Sequence, residues 1–179
     1  TGSVKAIDGS TGSFRLQTSA PNNLRVDLEI GGSKASECYN GKSAWRLDAR
    51  GLRTLLGDEA KRLRLESLLA NSRLNDLSRN RIVPQSAGKP TIDGREVNAL
   101  EFTKDGVRVK LYFDAATHLP LKRERDTADG VEETVYGDYR KIDGVMEPFS
   151  LKFKKGASEI AVSIDRVGHN STVELAAFR

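Results

Sequence analysis

The sequence predicts a mainly β (α+β) protein: a strongly curved antiparallel sheet, forming an incomplete β-barrel, with helices covering its concave face. The first observation is an alternation of apolar and polar residues, as in residues 107–113, where every second position is apolar. Side chains alternate faces along a strand, so such segments give a sheet one dry face and one polar face. The second observation is a single long segment with helical spacing, from about Arg50 to Arg79.

The N-terminal part of the chain reads as successive hairpins. Pro21-Asn22-Asn23 forms one predicted turn, and Gly31-Gly32 ends the strand that follows it. Asn40-Gly41 predicts a second turn, because Asn-Gly between two alternating segments is a strong hairpin signal. The predicted strands around these turns are residues 14–17, 24–30, 36–39 and 43–47.

Residues 50–80 are predicted to be helical and to pack on the concave side of the sheet. Their apolar residues recur at helical spacing, with Arg and Lys on the opposite side. Gly57-Asp58 is predicted to begin the main helix, and Asn71-Ser72 to interrupt it. The recurring residues are Leu52, Leu55, Leu56, Ala60, Leu63, Leu68 and Leu69.

The second half of the sheet is predicted from regularly spaced turns between alternating segments. These turns are Asp93-Gly94, Asp105-Gly106, Asp129-Gly130, Asp143-Gly144 and Lys155-Gly156. The alternation also predicts which apolar side chains face the helices. They are Leu24, Val26, Leu28, Val109, Leu111, Phe113, Phe153, Val162 and Ile164.

Composition predicts a single domain over residues 1–179, because the chain is long enough for one real core and short for two. The net charge of +4 arises from 29 basic and 25 acidic residues, which we expect along the outward faces of strands and helices. The one dense basic stretch, residues 122–126, carries its own acidic residues, which argues against a nucleic-acid-binding patch. No apolar run approaches the roughly 20 residues that span a bilayer.

The residues predict no catalytic constellation, cofactor site or metal site. His118 and His169 lie in predicted turns far apart in the sequence, so we expect both to be solvent-exposed. Cys38 is the only cysteine and is interpreted as a small buried filler. The sequence therefore predicts a protein that is not an enzyme.

The aromatic and leucine residues support a lipophilic cavity between sheet and helix, and equally an ordinary filled core. The residues predicted to line such a cavity are Trp45, Leu56, Leu63, Leu68, Leu69, Phe102 and Phe113. A filled core uses the same residue types, so the sequence leaves both interpretations open.

Four strings follow one another in an order and spacing typical of one group of proteins. They are Tyr39-Asn40-Gly41-Lys42-Ser43-Ala44-Trp45, Ile92-Asp93-Gly94-Arg95-Glu96-Val97, residues 111–121, and Tyr139-Arg140-Lys141-Ile142-Asp143-Gly144-Val145 followed by Pro148. Together they resemble bacterial outer-membrane lipoprotein-sorting proteins, the LolA/LolB-like superfamily, of which the chain is identified as a distant member. The resemblance covers nearly the whole chain.

The resemblance implies that the protein binds acyl chains of lipids or lipoproteins without chemistry, as a periplasmic or outer-membrane-attached monomer. It also implies a membrane-associated protein partner, and an N-terminal helix and signal peptide that would precede Thr1. One position departs from the pattern, because Ala20 stands where the lipoprotein carrier has an Arg before the Pro-Asn turn. Lipoprotein hand-off is therefore less well supported than the fold.

Two other classes of function remain open from the sequence. The first is an extracytoplasmic sensor or protein-interaction module whose core is filled and whose surface carries an apolar patch. The second is an accessory domain of an enzyme, which ranks lowest because the sequence contains no acid–base cluster.

Overall fold

The computed structural model describes residues 1–72, 74, 77–127 and 130–179. Within them, the strands account for most of the chain, with turns of a few residues between most neighbours. In chain order they are β1 Gly2–Ala6, β2 Thr11–Ser19, β3 Asn23–Ile30, β4 Ser33–Asn40, β5 Ala44–Asp48, β6 Gly51–Leu55, β7 Gln85–Ser86, β8 Thr91–Ile92, β9 Arg95–Lys104, β10 Val107–Asp114, β11 Pro120–Thr127, β12 Gly130–Ile142, β13 Val145–Lys155 and β14 Ser158–Ile164.

The strands form one 14-stranded antiparallel sheet that is built from two halves. The N-terminal half runs from β6 to β1 and the C-terminal half from β14 to β7, with β8 paired to β9 beside this path. The halves join where β1 pairs with β14, for example Val4 with Val162. Within the described residues β6 does not pair with β7 or β9, so the barrel is incomplete, as predicted.

The main helix, α1, spans Gly57–Ser72 and lies inside the curve of the sheet. It packs on β2 to β5 of the N-terminal half and also on β10 of the C-terminal half, which are far apart in the strand order. A sheet that meets one helix from both sides must wrap around it. The predicted helical cover of the concave face is thus confirmed. Two short 3-10 turns follow, Leu77–Asn80 and Leu175–Phe178.

The helical prediction was wrong for residues 51–55, which form β6 and pair with β5. The side chain of Asp48 accepts a hydrogen bond from the backbone N–H of Arg50 at 3.0 Å, and Gly51 has a φ of +93°. This side-chain turn and the left-handed glycine favour a tight hairpin. Leu52 and Leu55 are three residues apart, a spacing that helical periodicity also allows, so the pattern alone was ambiguous.

The core is filled on both flanks of α1. Toward the N-terminal half, Leu63 packs in one cluster with Leu24 and Leu55. Toward the C-terminal half, Leu65 and Leu68 pack in another cluster. A fully buried leucine contributes about 1.5–3 kcal/mol, so these contacts fix the helix within the sheet. The partners of Leu65 and Leu68 are Leu77, Ile82, Phe102, Val109 and Leu111.

The apolar side chains predicted to face the helix share one face of the sheet. Cross-strand register places Phe14 opposite Leu28 and Leu151 opposite Val162, so alternation carries the same face through successive strands. The predicted turns lie between the strands as expected, except that Asp129 falls outside the described residues. In the described part of the chain, no helix is long and apolar enough to cross a membrane.

Candidate functional site

An open cavity of about 820 Å³ lies on the concave face, where α1 leaves the middle of the sheet uncovered. Ligand pockets typically measure about 300–1,000 Å³, so the space is large enough for a small lipophilic molecule. Most of its wall is apolar. The apolar residues of this wall include Phe14, Leu16, Leu69, Leu74, Leu111 and Phe113. We call this space the apolar cavity.

Both the sheet and the helical segment supply the apolar wall. Phe14 and Leu16 come from alternate positions of β2, and Leu111 and Phe113 from alternate positions of β10. A register shift between Tyr112 and Phe113 makes Phe113 pair with Pro120, which also lines the cavity. Such an irregularity bends a strand locally and redirects its side chains. Leu69 and Leu74 close the cavity from the side of α1.

Several polar side chains also line the cavity, and two of them, Arg123 and Tyr136, lie on neighbouring strands. Arg123 on β11 donates to the hydroxyl of Thr134 at 3.2 Å, and Tyr136 on β12 lines the cavity beside it. Burial raises the pKa of Tyr136, so its hydroxyl stays protonated and available as a donor. Within the described residues this hydroxyl has no hydrogen-bond partner. The wall therefore presents a permanent cation and a hydroxyl donor.

Arg123 is the last member of a series of ion pairs that crosses the concave face, which we call the ion-pair series. Cations and carboxylates alternate along it, and both ends are arginines. The order is Arg53, Asp48, Arg46, Glu37, Arg62, Glu66 and Arg123, with successive N–O distances of 2.9, 3.0, 3.2, 2.7, 3.1 and 3.8 Å. The longest contact of this ion-pair series is the one to Arg123.

The middle of this ion-pair series belongs to α1. Burial disfavours the charge of Arg62, but the carboxylates of Glu66 and Glu37 outweigh it, and the pKa of Arg62 is raised. Because Glu37 is on β4 and Arg123 on β11, the helix is tied electrostatically to both halves of the sheet. The expectation that charged residues lie on outward faces was wrong here. Glu37, Arg123 and Arg62 point into the concave side, where they pair with one another across elements.

A second cavity of about 670 Å³ lies at the other end of the concave face and is charged. Arg125 and Lys155 both pair with Glu132 there, the latter at 3.1 Å. Other acidic and basic side chains line it in similar numbers, including Asp58, Glu59 and Arg108. Its wall is mainly polar, which suits a lipid poorly, and its mixed charges give no single dominant charge for an ion.

The two histidines both line the apolar cavity, although they are far apart in the sequence. His118 is exposed in a turn with a φ of +60°, as predicted. The prediction was wrong for His169, whose side chain is only 12% exposed and lies 2.8 Å from Glu147. This contact joins His169 to Glu147 on β13. In the described residues no group of His, Cys, Asp and Glu has the arrangement of a metal site.

The residues predicted to line a cavity fall into separate environments. Leu69 and Phe113 line the apolar cavity. Leu63, Leu68 and Phe102 are fully buried in the filled core on either flank of α1. These three residues belong to the core next to the cavity and are not part of its lining.

Trp45 and Leu56 lie away from the apolar cavity. Trp45 pairs with Cys38 and faces the convex side, because its neighbours Ala44 and Arg46 face the helix. The guanidinium of Arg25 stacks over the indole at 5.5 Å. Leu56 is 76% exposed between β6 and α1. These two residues are therefore not part of the lining of the apolar cavity.

The convex side near Trp45 is covered by the 3-10 turn Leu175–Phe178. Arg25 donates to the carbonyl oxygen of Ala177 at 2.7 Å, and the thiol of Cys38 contacts the carbonyl oxygen of Phe178 at 3.4 Å. Cys38 is completely buried, as predicted, and burial raises the pKa of its thiol to about 11. This segment therefore explains why an aromatic residue and a cysteine point outward from the sheet.

Sequence reasoning missed Arg123, Tyr136 and Leu111 as residues of the cavity wall. A usable signal was present for Arg123, because strand alternation places it on the same face as the predicted core residues. It was assigned to solvent because it is charged. For Leu74, the pattern indicated an apolar residue but not its position beyond the end of α1.

Comparison with known proteins finds likeness in structure. No protein-family model matches the sequence, and no curated protein matches it. The chain is similar to a DUF1329 family protein from Desulfovibrio piger, with a TM-score of 0.63, 16% identity, and 99% of this chain and 88% of that one covered.

Two further solved structures share the fold. The first, a proposed outer membrane lipoprotein-sorting protein domain from Vibrio parahaemolyticus, has a TM-score of 0.59, 10% identity and coverage of 99% and 88%. The second, a LolA superfamily protein from Nitrosomonas europaea, has a TM-score of 0.54, 16% identity and coverage of 93% and 86%. The resemblance to lipoprotein-sorting proteins predicted from the sequence is therefore confirmed at the level of the fold.

Proposed function

We propose that the protein binds a lipophilic ligand, the acyl chain of a lipid or lipoprotein, in the apolar cavity without performing chemistry on it. The observation that carries this proposal is an 820 Å³ space lined by leucine and phenylalanine side chains from β2, β10 and the α1 segment. Burying an acyl chain contributes about 0.8 kcal/mol per methylene. Even part of a chain in this cavity would give useful affinity.

The likeness in fold to a lipoprotein-sorting domain supports a carrier role outside the cytoplasm. In that role the protein acts in the periplasm or attached to the outer membrane, as a monomer that passes its ligand to a membrane-associated partner.

The test is to purify the full chain and to identify any co-purifying lipid by native mass spectrometry and solvent extraction. Titration with a fluorescent fatty-acid analogue then measures affinity. The intrinsic emission of Trp45 is a poor readout, because that side chain lies on the convex face. Saturable binding of the analogue supports the proposal. Absence of both co-purified lipid and binding would contradict it.

A second candidate function is a protein-interaction module. Leu47 and Leu52 form a cross-strand pair on the convex side of the edge hairpin, and they are 45% and 71% exposed. Such an exposed apolar pair at a sheet edge favours contact with another protein. Replacing both with serine should leave binding of the fatty-acid analogue unchanged. The same replacement should abolish binding of a protein partner that docks at this edge.

A further inference from the structure

We infer that the ligand is an amphiphile with an anionic head group, which Arg123 and Tyr136 bind while its acyl chain occupies the apolar cavity. This inference rests on the proposed function and specifies the chemical class of its ligand. It begins from the position of Arg123, a partly buried cation beside the leucine and phenylalanine side chains of the wall, whereas Arg166, the other arginine of the lining, is exposed. A charged residue is costly to place beside apolar surface unless something compensates its charge.

Arg123 shares its carboxylate partner with another cation. Glu66 lies 3.8 Å from Arg123 and 3.1 Å from Arg62. Glu132 also acts on Arg123 electrostatically, but its described ion pairs are with Arg125 and Lys155. A guanidinium carries five N–H donors, and the hydroxyl of Thr134 accepts from only one of its nitrogens. An incoming anion would accept charge-assisted hydrogen bonds from the remaining N–H donors.

Tyr136 extends this donor site on the adjacent strand. Arg123 pairs with Thr134 across β11 and β12, and Tyr136 is the next residue of β12 on the same face. Its hydroxyl has no partner among the described residues, and burial keeps it protonated by raising its pKa. Carboxylates and phosphates accept several hydrogen bonds at once, so both fit a guanidinium beside a phenol.

The side chains next to Arg123 define where the acyl chain of the ligand would lie. Leu111 pairs directly with Arg123 across β10 and β11, and Phe113 lies one step further along the same face. Leu69 and Leu74 face them from the helical side. A head group at Arg123 therefore places an attached chain against these four side chains.

The test uses three probes with the same chain: laurate, lauryl phosphate and lauryl alcohol, each titrated below its micelle concentration. Wild-type protein should bind at least one anionic probe about tenfold more tightly than the alcohol, as expected for a charge-assisted hydrogen-bonded pair. The Arg123→Met variant should lose this preference and keep its affinity for the alcohol within about twofold. Whether laurate or lauryl phosphate binds more tightly separates carboxylate from phosphate ligands.

Two further variants test whether the effect is specific to Arg123 and whether Tyr136 contributes. Arg125→Met removes the same charge from the same strand and face, but in the charged cavity, and should leave the preference intact. Tyr136→Phe removes only a hydroxyl and should weaken the anionic probes by about fivefold, with the fold checked by circular dichroism. Equal binding of all three probes, or equal loss in Arg125→Met, would overturn the head-group inference while acyl binding stands. If no probe binds, the proposed function fails with it.

Discussion

Arg62 on α1 and Glu37 on β4 form a 2.7 Å ion pair in which both side chains are largely removed from solvent. The pair joins the helix to the N-terminal half of the sheet, while Glu66 joins it to Arg123 in the C-terminal half. The helix is thus held by charge as well as by its leucines.

Replacing Arg62 with Met should lower the free energy of unfolding by about 2 kcal/mol, because Glu37 and Glu66 lose a partner in a partly buried setting. Urea unfolding followed by circular dichroism measures the change. Lys61→Met is the matched control, since Lys61 forms only an exposed pair with Asp58 and should change stability by less than about 0.5 kcal/mol. Equal effects of the two variants would refute a clamping role for Arg62.

Three leucines should respond differently to replacement by Asp. Leu69→Asp should abolish binding of the fatty-acid analogue with the fold retained, because a charge in the cavity wall is costly to desolvate against a lipid. Leu68→Asp should unfold the protein, since Leu68 is 4% exposed in the core, and Leu56→Asp should change neither property. Circular dichroism and binding titration test all three. Unimpaired binding by folded Leu69→Asp would exclude this cavity as the site.

The histidines should prove dispensable for binding. His118→Ala should alter stability by less than about 0.5 kcal/mol, because the side chain is exposed in a turn. His169→Ala should cost about 1 kcal/mol through loss of its contact with Glu147. Both variants should bind the analogue as the wild type does. Loss of binding in a folded histidine variant would show that the ligand contacts that histidine at the cavity wall and would contradict this prediction.

Cys38 should resist thiol reagents as long as the 3-10 turn Leu175–Phe178 stays in place. Phe178 is 1% exposed, and Phe178→Ala should speed labelling of Cys38 by at least about tenfold at neutral pH. Leu175→Ala is the control, because Leu175 is 62% exposed and should leave the rate unchanged. Rapid labelling of the native protein would show that the segment does not cover the thiol.

The same thiol predicts a dependence of stability on pH. Burial raises the pKa of Cys38 from 9.0 to about 11, so the folded state holds its proton more tightly than the unfolded state does. The contribution of the protonated thiol to the free energy of unfolding is complete below pH 9 and is lost as pH rises toward 11. Cys38→Ala should therefore lose less stability than the wild type across this interval in urea titrations. Parallel curves for the two proteins would contradict the assignment.

Strand alternation predicted the sheet, its concave face and the start of α1, because period-two and helical patterns differ clearly over long segments. The alternation of apolar and polar residues misled where an apolar side chain faces outward or a charged side chain faces inward. Trp45 is apolar but faces outward under the guanidinium of Arg25, while its neighbour Arg46 is charged but faces inward toward Glu37. Such placements depend on partners that are remote in the sequence. Arg123 was missed for the same reason, since Glu66 and Thr134 come from other elements.

The pairing of β1 with β14 has a consequence for biosynthesis. A ribosome adds about 5–20 residues per second, so residues 2–6 wait on the order of ten seconds or more for residues 160–164 to be translated. Until then each half of the sheet matures as its own stack of hairpins, with an unpaired edge at the seam. Gly2 belongs to this seam, and a Cβ there would approach the carbonyl oxygen of Ser163 to 2.3 Å. Hydrogen exchange on stalled nascent chains should find residues 2–6 less protected until β14 has emerged.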